Sequence, residues 1–209
     1  LVWALASIKG PDGRVRIEGF YDAVRPPTPL ERSLLEQAGW DDEAQKRDLG
    51  VDEFLGGVSG VDALEQLLFT PTCNIAGFAS GYVGEGNKTL LPATAAVNVD
   101  FRLVADQDPA DIFQRLRKHL DDHGFADVEL HDLGSIEPSR VPADSPFARV
   151  VVEAARRVYG REPSLRPSES ASGRQAVWLA GKLGIPGAGT GIGPPDWRGH
   201  AANEFITVH

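Results

Sequence analysis

The sequence of 209 residues is poor in several features that mark particular classes of protein. It has one cysteine, Cys73, and therefore no internal disulfide, which suits a reducing, cytoplasmic compartment. It has no run of about 18 apolar residues, so no segment is predicted to span a membrane. The apolar start, LVWALASI, is short and lacks a basic leader, so we do not expect a secretory signal.

Positive charge is also scarce, with 21 Lys and Arg against 30 Asp and Glu and a formal net charge of −9. The basic residues are scattered, which predicts neither a nucleic-acid partner nor an anionic membrane surface. The apolar share of 42% is typical of a soluble globular protein with one large or two small domains. Met is absent and the chain starts within a helical pattern, so we expect a fragment of a longer protein.

The first 134 residues show the pattern of an α+β domain. Alternating apolar residues predict strands at 14–20, 74–83, 93–104 and 126–133. Short helices are predicted at 30–38 and 62–69. A longer amphipathic helix begins with Asp108 as its cap and ends at Gly124. This order predicts helices on one face of an antiparallel sheet.

The residues after 134 show a different pattern of predicted helices and strands. A segment rich in Pro, Ser and Gly at 134–146 predicts a linker. A helix from Ser145 to Gly160, a second helix near 174–183 and a buried strand before the His200 loop follow. Alternation of helices and strands is typical of an α/β sheet, but two strands are too few for a stable sheet. We therefore expect an incomplete α/β segment.

The segment GYVGEGNKT, residues 81–89, nearly matches a phosphate-binding loop. That motif requires adjacent Gly-Lys-Thr followed by a helix, whereas here Asn87 intervenes and LLP follows. We interpret the segment as a strand connection that contributes one or two side chains to a site.

His119 and His123 have the four-residue spacing of helical metal ligands. A catalytic version carries Glu after the first His, where this chain has Leu120. Because both lie away from the apolar stripe in the last helical turn, we predict solvated histidines.

Four other residues are candidates for a binding site, each with a simpler alternative. His200 follows a presumed parallel strand, where ligands gather in open sheets, although single loop histidines usually lie free on the surface. Arg102 lies on an alternating strand and is either a solvated side chain or a carboxylate clamp. Ser172 and Gly173 precede a predicted helix and either cap it or donate to an anion.

Four segments together resemble one family. The segments are GFYDAVRPP at 19–27, GEGNKTLLP at 84–92, FRLVADQDP at 101–109 and GHAANE at 199–204. Their order and spacing resemble the dinuclear zinc metallopeptidases of peptidase family M-twenty. That family includes carnosine-type dipeptidases, aminoacylases, acetylornithine deacetylase and succinyl-diaminopimelate desuccinylase.

The resemblance implies a division of the chain and a set of site residues. Residues 1–134 would be a ferredoxin-like lid or dimerisation domain that lacks its first strand, with two helices on one face of an antiparallel sheet. Residues 135–209 would be the C-terminal portion of the catalytic domain. His200 would be a metal ligand. The substrate would be held by Arg102, Thr89, Ser172 and Gly173.

The resemblance also implies the chemistry. Two divalent ions, zinc or alternatively manganese, would hold a water that attacks a peptide or N-acyl amide bond in a homodimeric enzyme. In the family the other metal ligands and the general-base Glu precede the lid, so no catalytic residue is assigned within this chain. We expect the 209 residues alone to be inactive and to bind no zinc tightly. The alternative is a non-catalytic α+β module for dimerisation or small-ligand binding.

Overall fold

The computed structural model describes residues 1–167, 179, 182–189 and 202–206. The candidate residues Ser172, Gly173 and His200 lie outside these residues, as do most of the helix expected near 174–183 and part of the strand after it. The described elements are α1 (Val2–Ile8), α2 (Pro29–Gln37), α3 (Asp42–Leu49), α4 (Gly60–Phe69), β1 (Thr72–Ser80), β2 (Ala95–Arg102), α5 (Pro109–Asp122) and α6 (Pro146–Tyr159). Strands β1 and β2 form an antiparallel sheet, so the fold is α+β as predicted.

Side-chain caps fix where three of the helices begin. The Asp108 carboxylate accepts from the Ala110 amide at the start of α5, 2.8 Å away. Ser145 caps α6 in the same way, and Thr28 forms a reciprocal capping box with Glu31 at the start of α2. In each case Pro takes the first helical position, where its missing N–H costs nothing. The boundaries of α5 and α6 therefore agree with the sequence signals.

The main hydrophobic core lies between α1, α5 and one face of the hairpin. Its buried side chains come from four parts of the chain: Ala4, Ile8, Val15, Ile17, Phe20, Cys73, Ile112, Leu116 and Leu120. The Gln107 side chain donates to the Phe20 carbonyl, 2.8 Å away, which ties the start of α5 to this core. No helix among the described residues is long and apolar enough to cross a membrane.

A second cluster joins α2 to α4. It consists of Leu35, Leu64, Leu68 and Phe69. The predicted linker at 134–146 passes beside it and is anchored there, because the Arg140 guanidinium pairs with Glu31 and lies 4.7 Å from the centre of the Phe69 ring. Residues 134–143 form no helix or strand, as expected of a linker, and Arg140 attaches this segment to α2 and α4.

Two of the four predicted strands are wrong. Residues 14–20 contribute only an isolated bridge between Lys9 and Val15. Their alternation reflects burial, since Val15, Ile17 and Phe20 enter the core without a strand beside them. Residues 126–133 are likewise irregular, and the Val128 carbonyl accepts from the Arg117 guanidinium instead of from a neighbouring strand.

Two helices differ from expectation in other ways. Helix α3 was not predicted, since it is polar and buries no residue. Helix α6 has the predicted apolar stripe, yet none of its residues is buried within the part of the chain that the structure describes. Val150 and Val158 are both largely exposed.

Candidate functional site

The hairpin of β1 and β2 has an apolar face and a polar face, and a bulge in β1 keeps each face continuous along the strands. The register shifts between Ile75 and Gly77, which leaves Ala76 without a partner and restores the alternation beyond it. The core-side face carries Cys73, Ile75, Phe78, Val97, Val99 and Phe101. The opposite face, called the polar face below, carries Thr72, Asn74, Gly77, Ala79, Ala96, Asn98, Asp100 and Arg102.

Arg102 is the last residue of β2 and lies on the polar face, opposite Thr72. Its Nε donates to Oδ2 of Asp100, 2.6 Å away, and both side chains are about half exposed. The two terminal nitrogens of Arg102 make no hydrogen bond to any residue that the structure describes. They are therefore available to an anion that approaches this end of the sheet.

Thr89 lies in the loop that connects β1 to β2. Every residue from 81 to 96 is exposed, so the loop projects into solvent. Tyr82 organises its tip, since the hydroxyl donates to the Glu85 carbonyl at 2.7 Å and Lys88 lies 4.4 Å from the ring centre. No helix follows Lys88 and Thr89, which agrees with the interpretation of this segment as a strand connection.

Arg102 and Thr89 lie at opposite ends of the hairpin. The seven residue steps from Ala95 to Arg102 correspond to about 23 Å along the strand, and Thr89 precedes Ala95. Residues 81–96 are all exposed, so the loop does not pack back over the polar face. The hairpin therefore places the two side chains apart along the length of β2.

His119 and His123 form a stacked pair at the end of α5, with ring centres 4.0 Å apart. The prediction of two solvated histidines is wrong for His119, which is 5% exposed because α1 packs over it. The Ser7 hydroxyl donates to the Ala4 carbonyl and so accepts from Nε2 of His119, 3.1 Å away. Burial lowers the pKa of His119, and the neighbouring His123 lowers it further.

The described residues contain no group of three or more His, Cys, Asp or Glu that could hold a metal ion. Two histidines and a hydroxyl in the α1–α5 contact are therefore a packing feature. Asp100, which accepts from Arg102, is not among the candidate residues identified from the sequence. Its signal was present, because Asp-x-Arg on an alternating strand puts both side chains on one face.

Residues 33–128, which include the whole hairpin, match the family model described as Peptidase dimerisation domain. A solved M-twenty family metallo-carboxypeptidase from Sulfolobus solfataricus is 37% identical with a TM-score of 0.89, over 98% of this chain and 47% of that one. Human carnosine dipeptidase 1, at 22% identity, shares the fold with a TM-score of 0.74, over 98% of this chain and 44% of that one.

Curated proteins give a shorter match. The Beta-Ala-His dipeptidase of Rattus norvegicus is 27% identical over 125 residues, which are 58% of this chain and 24% of that protein. The chain thus spans less than half the length of each of these relatives.

Proposed function

This chain contains a peptidase dimerisation domain and is related to the M-twenty metallopeptidases, and on that premise we propose that it is part of a metal-dependent dipeptidase or amidohydrolase. Its reaction is hydrolysis of a peptide or N-acyl amide bond. The proposal rests on the similarity to the Sulfolobus solfataricus enzyme, which extends over 98% of this chain.

Within this function we assign residues 1–134 to a lid and residues 135–209 to part of a catalytic domain. The role of Arg102 is to bind the substrate carboxylate, because a planar guanidinium forms two parallel hydrogen bonds to a carboxylate. Its position supports that role, since both terminal nitrogens are free of the described residues. Ser172 and Gly173 are proposed to bind the same end of the substrate.

The metal ions would supply an activated water, and His200 is the ligand that this chain would contribute. The described residues do not by themselves fit such a site, because they bring together no group of three His, Cys, Asp or Glu side chains. A zinc ion usually takes about four ligands. We therefore assign no step of the reaction to the described residues beyond substrate binding, and we propose that the 209 residues alone are inactive.

The proposed assembly is a homodimer in which Thr89 reaches the site of the partner subunit. Two observations support it. Thr89 precedes β2 whereas Arg102 ends it, which is the arrangement expected if Thr89 contributes to a site other than that of its own Arg102. The same loop carries exposed apolar side chains at Val83, Leu90 and Leu91, which a partner surface would cover.

The test is to express the complete reading frame and assay dipeptides and N-acyl amino acids with added Zn²⁺ or Mn²⁺. We expect metal-dependent hydrolysis, and we expect R102A to raise the KM for substrates with a free carboxylate. Absence of hydrolysis in both substrate classes would favour the non-catalytic module.

A cytoplasmic location, suggested by the single cysteine, is tested by whether the tagged protein fractionates with a cytosolic marker.

A further inference from the structure

We propose that Asp100 is a positioning residue, which orients the Arg102 guanidinium so that only its two terminal nitrogens meet the substrate carboxylate. This inference rests on the proposed function of Arg102. It adds to that function a residue that acts through Arg102, and it defines the geometry in which the substrate carboxylate binds.

The pair is fixed by the strand. Asp100 and Arg102 are two residues apart on β2, so both side chains leave the same face of the sheet. The Arg102 Nε···Asp100 Oδ2 distance of 2.6 Å is that of a charge-assisted hydrogen bond. Across the sheet, the Asn74 side chain donates to Thr72, 3.2 Å away, and neither side chain is hydrogen-bonded to the guanidinium. Asp100 is thus the side chain that holds Arg102 among the residues the structure describes.

The position of Asp100 restricts how a ligand can bind. A guanidinium can bind a carboxylate through its side edge, which uses Nε, or through its end, which uses the two terminal nitrogens. Asp100 occupies Nε, so the side edge is closed and the end remains open. A carboxylate must then approach along the axis of the Arg102 side chain, which fixes the direction from which the substrate enters.

Two effects of Asp100 on a bound carboxylate oppose each other. Its negative charge repels the ligand, but both side chains are about half exposed, so solvent screens that repulsion. Its hydrogen bond removes the rotamer freedom of a long arginine before the ligand arrives, which lowers the entropic cost of binding. We expect the second effect to dominate, so that loss of Asp100 weakens carboxylate binding.

The experiment uses the complete enzyme and the isosteric variant D100N. Its matched control is D111N, because the Asp111 Oδ2···Arg115 Nε distance is also 2.6 Å and that pair lies on α5. Steady-state kinetics are measured on a dipeptide and on the same dipeptide with an amidated C-terminus. We expect D100N to raise the KM for the free dipeptide about three- to tenfold, a typical coupling between residues in contact. The kcat should change little, and D111N should change neither constant.

Further variants separate positioning from a general charge effect. D100E should recover part of the lost affinity, because it restores a carboxylate near Nε. In an R102A background, D100N should have no further effect. In this chain labelled with ¹⁵N-arginine, D100N but not D111N should shift the Nε–H resonance of Arg102.

The outcomes distinguish the two proposals. If R102A leaves the KM of the free dipeptide unchanged, the proposed function of Arg102 is wrong. If R102A raises that KM while D100N behaves like D111N or lowers it, the role of Asp100 alone is refuted. An equal effect of D100N on the amidated dipeptide would also refute it, since that substrate has no terminal carboxylate.

Discussion

Glu31 and Arg140, 109 residues apart in the sequence, form an ion pair in which both side chains are at least nine-tenths buried. Arg140 Nε donates to Glu31 Oε1 at 2.9 Å, while Glu31 also accepts from the Thr28 amide and hydroxyl. The contact attaches the beginning of the second proposed part, residues 135–209, to the start of α2 in the proposed lid. It is therefore a structural link between the two proposed parts of the chain.

Loss of Arg140 should destabilise the fold strongly. R140A leaves the Glu31 carboxylate buried without its cation, and such losses cost about 3–5 kcal/mol. Urea unfolding of this chain measures the change, with R32A as the control, because Arg32 pairs with Asp62 and Glu65 at a far more exposed position. R32A should cost about 1 kcal/mol or less. Equal losses in the two variants would contradict a buried link.

The Glu31–Arg140 pair should also make the free energy of unfolding depend on pH. Burial raises the pKa of Glu31, but hydrogen bonds from Arg140 and Thr28 outweigh it, so the net pKa lies below its usual 4.5. The stabilising contribution is therefore complete above pH 4.5 and is lost as the pH falls through the folded-state pKa.

Local signals in the sequence identified the helices better than the sheet. Asp108, Ser145 and the prolines that follow them act within one helical turn, so the starts of α5 and α6 could be predicted from sequence. The strands at 14–20 and 126–133 could not, because alternation reports burial, whereas a strand also requires a neighbouring strand in register.

The candidate site, like the sheet, could be predicted only in part from local sequence patterns. The sequence could single out Arg102 and Thr89, but their separation depends on the register of β1 and β2, which no local pattern specifies. The burial of His119 likewise depends on α1, more than 100 residues earlier. Ser172, Gly173 and His200 stay predictions.

His119 should make this chain less stable in weak acid. Because burial and His123 lower its pKa below the ordinary 6.5, the neutral ring is favoured in the folded state. Its contribution is complete above pH 6.5 and is lost as the pH falls from 6.5 towards the folded-state pKa. Unfolding free energies measured from pH 8 to pH 5 should show this decline in the parent and in H123Q, and a weaker decline in H119Q. Identical profiles for all three proteins would contradict it.

Zinc should not bind tightly to the 209 residues alone. The described residues offer no cluster of three ligands, and a lone histidine supplies one of about four ligands that zinc requires. Calorimetric titration of Zn²⁺ into the chain should show no stoichiometric high-affinity event, whereas the product of the complete reading frame should show one that H200A weakens. Tight binding by the 209 residues would refute the proposed division of ligands.

The hairpin loop should mediate self-association. Leu91 is 96% exposed beside Thr89, and L91D places a charge where a partner chain is proposed to pack. Sedimentation analysis should show a dimer for the parent chain and a dissociation constant at least about tenfold higher for L91D, which corresponds to 1.4 kcal/mol. Leu133 is 86% exposed outside the hairpin, so L133D is the matched control and should remain dimeric. A monomeric parent chain at high concentration would rule out this interface.

Mixed dimers of the complete enzyme test whether Thr89 acts across the interface. In T89A every site lacks the threonine, and in R102A every site lacks the guanidinium, so each homodimer should be impaired. If each site takes Arg102 from one subunit and Thr89 from the other, as proposed, a mixed dimer would contain one site with both side chains intact and one with neither.

Unfolding and refolding the two variants together should yield about half mixed dimers, each with one intact site of two, and hence about a quarter of the parent activity. T89A mixed with itself controls for refolding losses. If both residues served the site of their own chain, every site in the mixture would still lack one of them. Activity no higher than that of the separate variants would then place Thr89 and Arg102 in the same subunit's site and overturn the proposed exchange between subunits.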